Sequence, residues 1–325
     1  MPKSNTKQRI IDYISSNKEA SPRELSQFLE ISPQALFRHL KTLINNNSIE
    51  KIGSSPRVFY RISSPSEKKH SDIVSNEDTL FLEKNFYFVS PIGQSYSGLD
   101  AMKAWCDRQN LPLQKTINEY KLTLAKYDAY KLDSFIDGLE KMHSTFKSVF
   151  LDSLFYLDFY AIERFGKTKL GYYLLYSKQG QSISFMNQLI TEVKPYIQSL
   201  INKYSFDAIA FAPPTVKRDT QIMKLLEEKC SFGLKKVKVE KLKTPIIVPQ
   251  KTLSKLQDRI YNAKNSMIVS EKSSFNHILL IDDAVGSGAT LNEIAFQIKD
   301  KNIASKITGL ALAGSFKGFE VISEV

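Results

Sequence analysis

Two adjacent acidic residues, Asp282 and Asp283, stand between an apolar run, Leu279, Leu280 and Ile281, and a turn of small residues comprising Ala284, Val285, Gly286, Ser287, Gly288, Ala289 and Thr290. A turn with two glycines lets backbone N–H groups converge on an anion, and a helix starting there adds the positive end of its dipole. Ser287 and Thr290 bring hydroxyl donors to the same place. Ionised carboxylates only accept hydrogen bonds, so the acid pair suits two vicinal hydroxyls, as on a ribose whose 5-phosphate lies in the turn. The order of parts separates this site from two others that bind phosphates. No GK[ST] is present, which excludes a nucleotide-triphosphate loop, and the acids precede the glycines, which excludes a dinucleotide site.

A second set of residues suits duplex DNA. In the segment from Pro33 to Leu43, Gln34, Arg38 and Lys41 share one helical face, and Leu36, Leu40 and Leu43 share another. The first face offers an amide and two cations, groups that read base edges and phosphates in a major groove. Arg57 lies near the tip of an expected hairpin downstream. Residues 1–62 hold ten Lys or Arg against five Asp or Glu, and the whole chain carries a formal charge of +11, both of which favour an anionic partner.

Other chemistries find little support. Cys106 and Cys230 are far apart with no CxxC partner, and the four histidines have no second ligand at metal-binding spacing, so no protein-held transition metal is expected. No apolar run approaches the roughly 20 residues that span a bilayer. The start of the chain lacks the apolar core of a signal peptide, so the expected location is the cytoplasm and no membrane partner is expected.

The elements that must position these residues fall into four stretches. Residues 1–62 are expected to form a winged helix-turn-helix. Ile10, Ile11 and Ile14 mark a first helix. Ser21, Pro22 and Glu24 start a second with a capping box, and Ser32 and Pro33 start a third. Runs at 49–52 and 58–62 give the wing, all-β around Gly53 to Pro56. Residues 63–77, rich in Ser and charge, suggest a linker. Residues 78–150 are expected to be a mainly helical connector. It would open with a strand or hairpin over 79–93 and a helix over 98–109, then stay helical over 114–146, burying Leu122, Leu124, Tyr127, Phe135, Ile136, Leu139 and Met142. In residues 151–325 the runs 154–162 and 169–176 suggest an antiparallel hairpin. Strands and helices then alternate, which favours an α/β domain with a parallel sheet. Helices are expected at 184–204, 220–229, 252–264 and 290–299, and strands at 206–213, 237–244, 277–283 and 307–314.

Both parts resemble known families. ISPQALFRHLKTLINNNSIEKIGSSPRVFYRI resembles the winged-helix modules of metal-responsive and related bacterial repressors, without their metal thiolates, so only the DNA-reading scaffold carries over. The Leu279–Leu291 segment resembles the type I phosphoribosyltransferase signature. FAPPTVKRD and QKTLSKLQDRIYNAKNSMIV are similar to two further segments of its ComF-like branch, although Leu253 and Arg259 are one residue further apart than usual. The resemblance implies a phosphoribosyltransferase-like sheet domain that binds phosphoribosyl pyrophosphate or a nucleotide, with Mg²⁺ carried on the pyrophosphate. It puts Pro214, Lys217 and Arg218 beside the pyrophosphate, and Lys251, Lys255 and Arg259 on a flexible hood over Lys241–Lys264. Asp282 and Asp283 would be the catalytic acids. Relatives acting on 6-oxopurines carry an acidic base where this chain has Gly286, which disfavours those substrates.

These residues are compatible with three functions. One is a DNA-binding transcription regulator gated by phosphoribosyl pyrophosphate or a nucleotide, and a homodimer would suit it. Another is an active phosphoribosyltransferase in nucleotide metabolism. The last is an effector or accessory protein of an antiviral, retron-type cassette working with a reverse transcriptase and nucleic acid.

Overall fold

A computed structural model describes residues 6–46, 48–54, 57–63, 74–214, 216, 218–230, 232–242, 246 and 248–315, of which 53, 54, 57 and 251 are described by their backbone alone. The chain divides into two compact units, Met1–Asp72 and Ile73–Val325.

In the first unit, α1 (Thr6–Asn17), β1 (Glu19–Ala20), α2 (Pro22–Leu29) and α3 (Pro33–Asn45) precede a hairpin of β2 (Ile49–Ser54) and β3 (Arg57–Ile62). The Ser21 hydroxyl accepts the Glu24 N–H, and the Glu24 carboxylate accepts the Ser21 N–H at 2.7 Å, closing the capping box. Those bonds hold the Glu24 carboxyl below its ordinary value. Glu30 in left-handed conformation, φ 56°, ends α2, and Ser32 starts α3 by accepting from Ala35. The spacing of apolar residues then closes one core around Ile10, Ile14, Leu25, Leu36, Leu40, Leu43, Ile49 and Tyr60. β3 sits between β1 and β2, all antiparallel, with Glu50 opposite Arg61 in a 2.6 Å ion pair.

The second unit opens with α4 (Asn76–Asn85), β4 (Tyr87–Val89), β5 (Ser95–Ser97), α5 (Gly98–Gln109) and α6 (Leu113–Asp128). Next come β6 (Lys131–Leu132), β7 (Phe135–Asp137), α7 (Leu139–Thr145), β8 (Ser153–Phe159), β9 (Ala161–Ile162), β10 (Gly166–Lys167), α8 (Lys169–Lys178) and α9 (Ile183–Lys203). It continues through β11 (Ala208–Phe211), α10 (Ile222–Lys229), β12 (Lys235–Val237), β13 (Val239–Lys241), a 3₁₀ turn (Gln250–Thr252), α11 (Leu256–Ser266) and β14 (Met267–Val269). The final elements are β15 (Phe275–Val285), α12 (Ala289–Asp300) and β16 (Ala304–Gly314).

Seven strands form the central sheet in the order β12-β11-β15-β16-β8-β7-β6. The first five are parallel, and β7 and β6 are antiparallel additions. Ile278 to Ile281 of β15 are all fully buried because helices cover both faces, as parallel strands require. Alternation divides them. Ile278 and Leu280 join the core that also holds α5, α6 and α12, whereas Leu279 and Ile281 join the core built on α8, α9 and α10.

Several expected elements differ. Residues 79–85, expected in a strand, belong to α4, whose start also takes in 76 and 77 of the expected linker. There Ser75 accepts the Asp78 N–H at 3.0 Å, and Glu77 and Asp78 sit in the favourable first turn. The run 169–176 is helix rather than strand. Thr168 caps it by accepting from Gly171, and Leu170, Tyr173, Leu174 and Ser177 recur at helical spacing on its buried side. The expected continuous helix over 114–146 is broken after Asp128, where Asp133 and Ser134 turn with φ of 49° and 72° and send Phe135 and Ile136 into the central sheet. Residues 78–150 therefore share one body with the sheet domain. Leu122, expected in the core, is 68% exposed. The run 237–244 divides at Lys238, since Val237 ends a strand of the main sheet and Val239 begins a separate pairing with β14. No described helix is long and apolar enough to cross a membrane.

Candidate functional site

β15 carries the acid pair to the carboxyl edge of the parallel strands, the edge at which ligands of such sheets bind. The chain turns at Gly286, Ser287 and Gly288 and enters α12 at Ala289. Gly288 is the residue before the helix and has φ 79°, a conformation glycine adopts freely. A cleft of about 200 Å³ opens here, and all residues from Asp282 to Thr290 line it. The loop after β11 lends Pro214 and Arg218, and the 249–259 segment lends Gln250 and Arg259. Residues scattered over the sequence and expected at one site thus come together. Lys255 does not; it is exposed at the start of α11 and is not part of the cleft wall. Lys217 lies outside the described residues, as does the side chain of Lys251.

The two acids differ in surroundings. Asp283 falls on the sheet face covered by α8, and its Oδ1 meets Lys178 Nζ at 3.0 Å. Asp282 accepts the backbone N–H of Asp283 at 2.8 Å. Burial first, and the neighbouring Asp283 charge second, push the Asp282 carboxyl up to about 7. It can therefore exchange a proton near neutral pH. Among the described residues, no group of three or more His, Cys, Asp or Glu is placed to hold a metal ion. Among the described residues that line the cleft, Asp282 and Asp283 are the carboxylates, and Asp283 already faces Lys178.

Arg259 is the informative side chain opposite the turn. It is 5% exposed, its Nε donates to the Leu253 carbonyl at 2.6 Å, and its own carbonyl accepts from Gln250 Nε2 at 3.1 Å. A β-carbon placed on Gly286 would stand 3.5 Å from its Nη1. Its Nη2 is buried with no hydrogen-bond partner, and no carboxylate among the described residues pairs with it. Burial lowers the pKa of this guanidinium, the signature of a cation held without compensation. The expected place for Arg259 was a flexible hood over a pyrophosphate. In this structure it is a buried cation against the bend of the small-residue turn.

The remaining buried side-chain atoms without partners lie in the same wall. Among the described residues these are Ser177 Oγ, Gln221 Oε1, Gln250 Oε1 and Arg259 Nη2, and all four residues line the cleft. Gln221 Nε2 donates to the Val216 and Arg218 carbonyls and Gln250 Nε2 to that of Arg259, which fixes each amide with its oxygen as the unpaired atom. Buried polar atoms are usually paired, so these four mark positions where water or a ligand would supply the missing hydrogen bonds. Lys178, Ser177 and Gln221 are absent from the sequence reading. Lys178 is 105 positions from its partner Asp283 and sits on a helix read as a strand, so no local pattern marks it. Arg218 also reaches this helix, donating to the Lys178 carbonyl.

In the N-terminal unit, Gln34, Arg38 and Lys41 are exposed on α3, opposite buried Leu36, Leu40 and Leu43. The Arg57 backbone belongs to β3, and its side chain lies outside the described residues.

Comparison with protein families agrees with this unit. Residues 3–50 match the model for winged helix-turn-helix DNA-binding domains, which covers α1 to α3 and the start of β2. The N-terminal unit is a winged helix-turn-helix of DNA-binding type, and DNA is the partner this implies. The comparison with curated proteins returns no match.

Proposed function

We propose that the chain is a DNA-binding regulator whose sheet domain binds a phosphorylated ribose, of the kind found in phosphoribosyl pyrophosphate or a nucleotide, and that this ligand adjusts DNA affinity. One observation carries the ligand: the buried Arg259 guanidinium has no anion beside it and lies against the Gly286 turn, where N–H groups and the start of α12 already favour negative charge. A phosphate in the turn would compensate that cation in a site shielded from water, where charge interactions are strongest. Asp282 and Asp283, on the same cleft wall, would accept the sugar hydroxyls, and Ser287 and Thr290 would add donors to the phosphate. Pro214 and Arg218 border the space left for a second phosphate, and Mg²⁺ would arrive on that ligand.

Fusing a DNA reader to such a site makes a switch if ligand binds one conformer better than the other, since only that difference can shift a population. Fluorescence anisotropy of duplex DNA with the full chain tests this. Phosphoribosyl pyrophosphate with Mg²⁺ should change the DNA dissociation constant several-fold, and Arg259→Met should abolish the change while leaving DNA affinity without ligand intact. Equal DNA affinity with and without a ligand shown to bind refutes the regulator.

The intact acid pair favours a second reading, an active phosphoribosyltransferase. A nitrogen nucleophile would form a bond to the anomeric carbon as the bond to pyrophosphate breaks, and pyrophosphate would leave with Mg²⁺. The chain's own part would be positioning and charge stabilisation. Pyrophosphate released by the wild type but not by Asp282→Ala would establish the enzyme.

A further inference from the structure

The DNA-facing side of α3 holds a residue that neither charge nor amide chemistry explains. Phe37 is 51% exposed, whereas Leu36 and Leu40 of the same helix are buried in the core. Its position is not arbitrary. Gln34, Phe37, Arg38 and Lys41 stand at i, i+3, i+4 and i+7, so they form one exposed strip along the helix that enters the major groove in this family of domains. Phe28, another exposed ring of this unit, is partly accounted for by Tyr13, at 4.4 Å between ring centroids, and by Arg9 over its face at 5.3 Å. Among the described residues, Phe37 makes no ring or cation contact of that kind.

An apolar ring amid an amide and two cations suits one feature of the major groove. Thymine alone presents an apolar methyl group there, and its adenine partner presents the acceptor and donor that a glutamine amide can bind with both of its ends. Arg38 and Lys41 would meanwhile contact phosphates, which position the helix without reading sequence. We propose that Phe37 reads a thymine methyl and Gln34 an adenine, so that the site on DNA holds A·T pairs beneath the centre of α3. The proposal rests on DNA binding by the N-terminal unit and is independent of the ligand in the sheet domain.

The test uses the full chain. A duplex is selected from a random pool at moderate salt, and each thymine is then replaced by deoxyuridine, which removes only the methyl. One position should lose about three- to tenfold in affinity on replacement, the effect expected for an apolar contact of one methyl group. Phe37→Ala should bind the thymine and uracil duplexes equally and should keep the salt dependence of the wild type, because the cations remain. Phe37 is exposed, so this variant should melt like the wild type, and Phe37→Leu should keep part of the discrimination. A wild type that selects no sequence, or is indifferent to every methyl, overturns the proposal, as does Phe37→Ala with undiminished discrimination. Loss of a protein oligomer in Phe37→Ala with no change in methyl reading would make the ring a protein contact instead. If no duplex binds at all, the DNA-binding reading itself fails.

Discussion

Replacing Gly286 by Asp should make the sheet domain more stable and weaken its site, because in this chain the acid would face the buried Arg259. Gly286 is not among the glycines with positive φ, so an L-residue can adopt its backbone. Among the described residues, the chain neighbours of Gly286 aside, the atom within 4 Å of an added β-carbon is Arg259 Nη1, at 3.5 Å, an ordinary contact. An aspartate carboxylate, one bond further out, would meet the guanidinium and supply the missing anion from within the chain. A hydrogen bond to a charged group contributes about 1.5–3 kcal/mol, and restricting the unfolded chain at a former glycine adds about 0.4–1 kcal/mol. Together they amount to about 2–4 kcal/mol, and in a domain of this size each kcal/mol shifts Tm by about 2–4 °C. Calorimetry of the full chain should show the sheet-domain transition rising by about 5–15 °C. Affinity for ribose 5-phosphate should fall by about 10- to 100-fold, the equivalent of the same bond now made internally. Gly286→Ala fills the space without charge, so it should bind ligand and move Tm little. An unchanged or lower Tm for the Asp variant, together with retained affinity, would refute the uncompensated cation.

Three further outcomes follow from the same structure. Asp282 holds its proton more tightly when folded than unfolded, so the stability it contributes is present at low pH and is lost as pH rises from about 3.8 towards about 7. Asp282→Asn should remove that slope, leaving the variant relatively more stable at pH 8 in melting curves, and equal slopes in both proteins would contradict the burial argument. Arg38→Ala should weaken duplex binding across sequences and lower the salt slope by about 1, measured by anisotropy between low and moderate salt; an unchanged slope would remove Arg38 from the phosphate contacts. Leu36→Ala empties a fully buried site between α3 and its neighbours, at a cost of about 2–5 kcal/mol, and limited proteolysis should cut the N-terminal unit selectively, whereas resistance like the wild type would mean the site collapses without cost.

The parts of this molecule visible in its sequence are those in which local chemistry and long-range structure agree. Ser21, Pro22 and Glu24 specify a helix start by themselves, and the continuous apolar run of β15, ending in two acids and a glycine turn, specifies a buried strand that opens into a loop. The misread parts depend on distant contacts. KLGYYLLYSK is rich in aromatic residues that favour strands, but Thr168 caps it and Gly171 fits under the Tyr160 carbonyl, where a β-carbon would come within 2.0 Å. Residues 131–137 look like interrupted helix until Ile136 pairs with Tyr156 in the central sheet. The sequence groups Arg259 with the acid-glycine segment, but only the fold sets its guanidinium against Gly286 with a nitrogen unpaired.

The central claim is that a ribose phosphate docks between the acid pair and the Gly286 turn, with Arg259 as its buried counter-charge. Titration calorimetry of ribose 5-phosphate into the full chain tests it most directly, with ribose and Arg259→Met as controls. The account predicts saturable one-site binding to the wild type, none by ribose, and a loss of about tenfold or more in Arg259→Met. No heat with ribose 5-phosphate or phosphoribosyl pyrophosphate, or equal affinity in the variant, would contradict it.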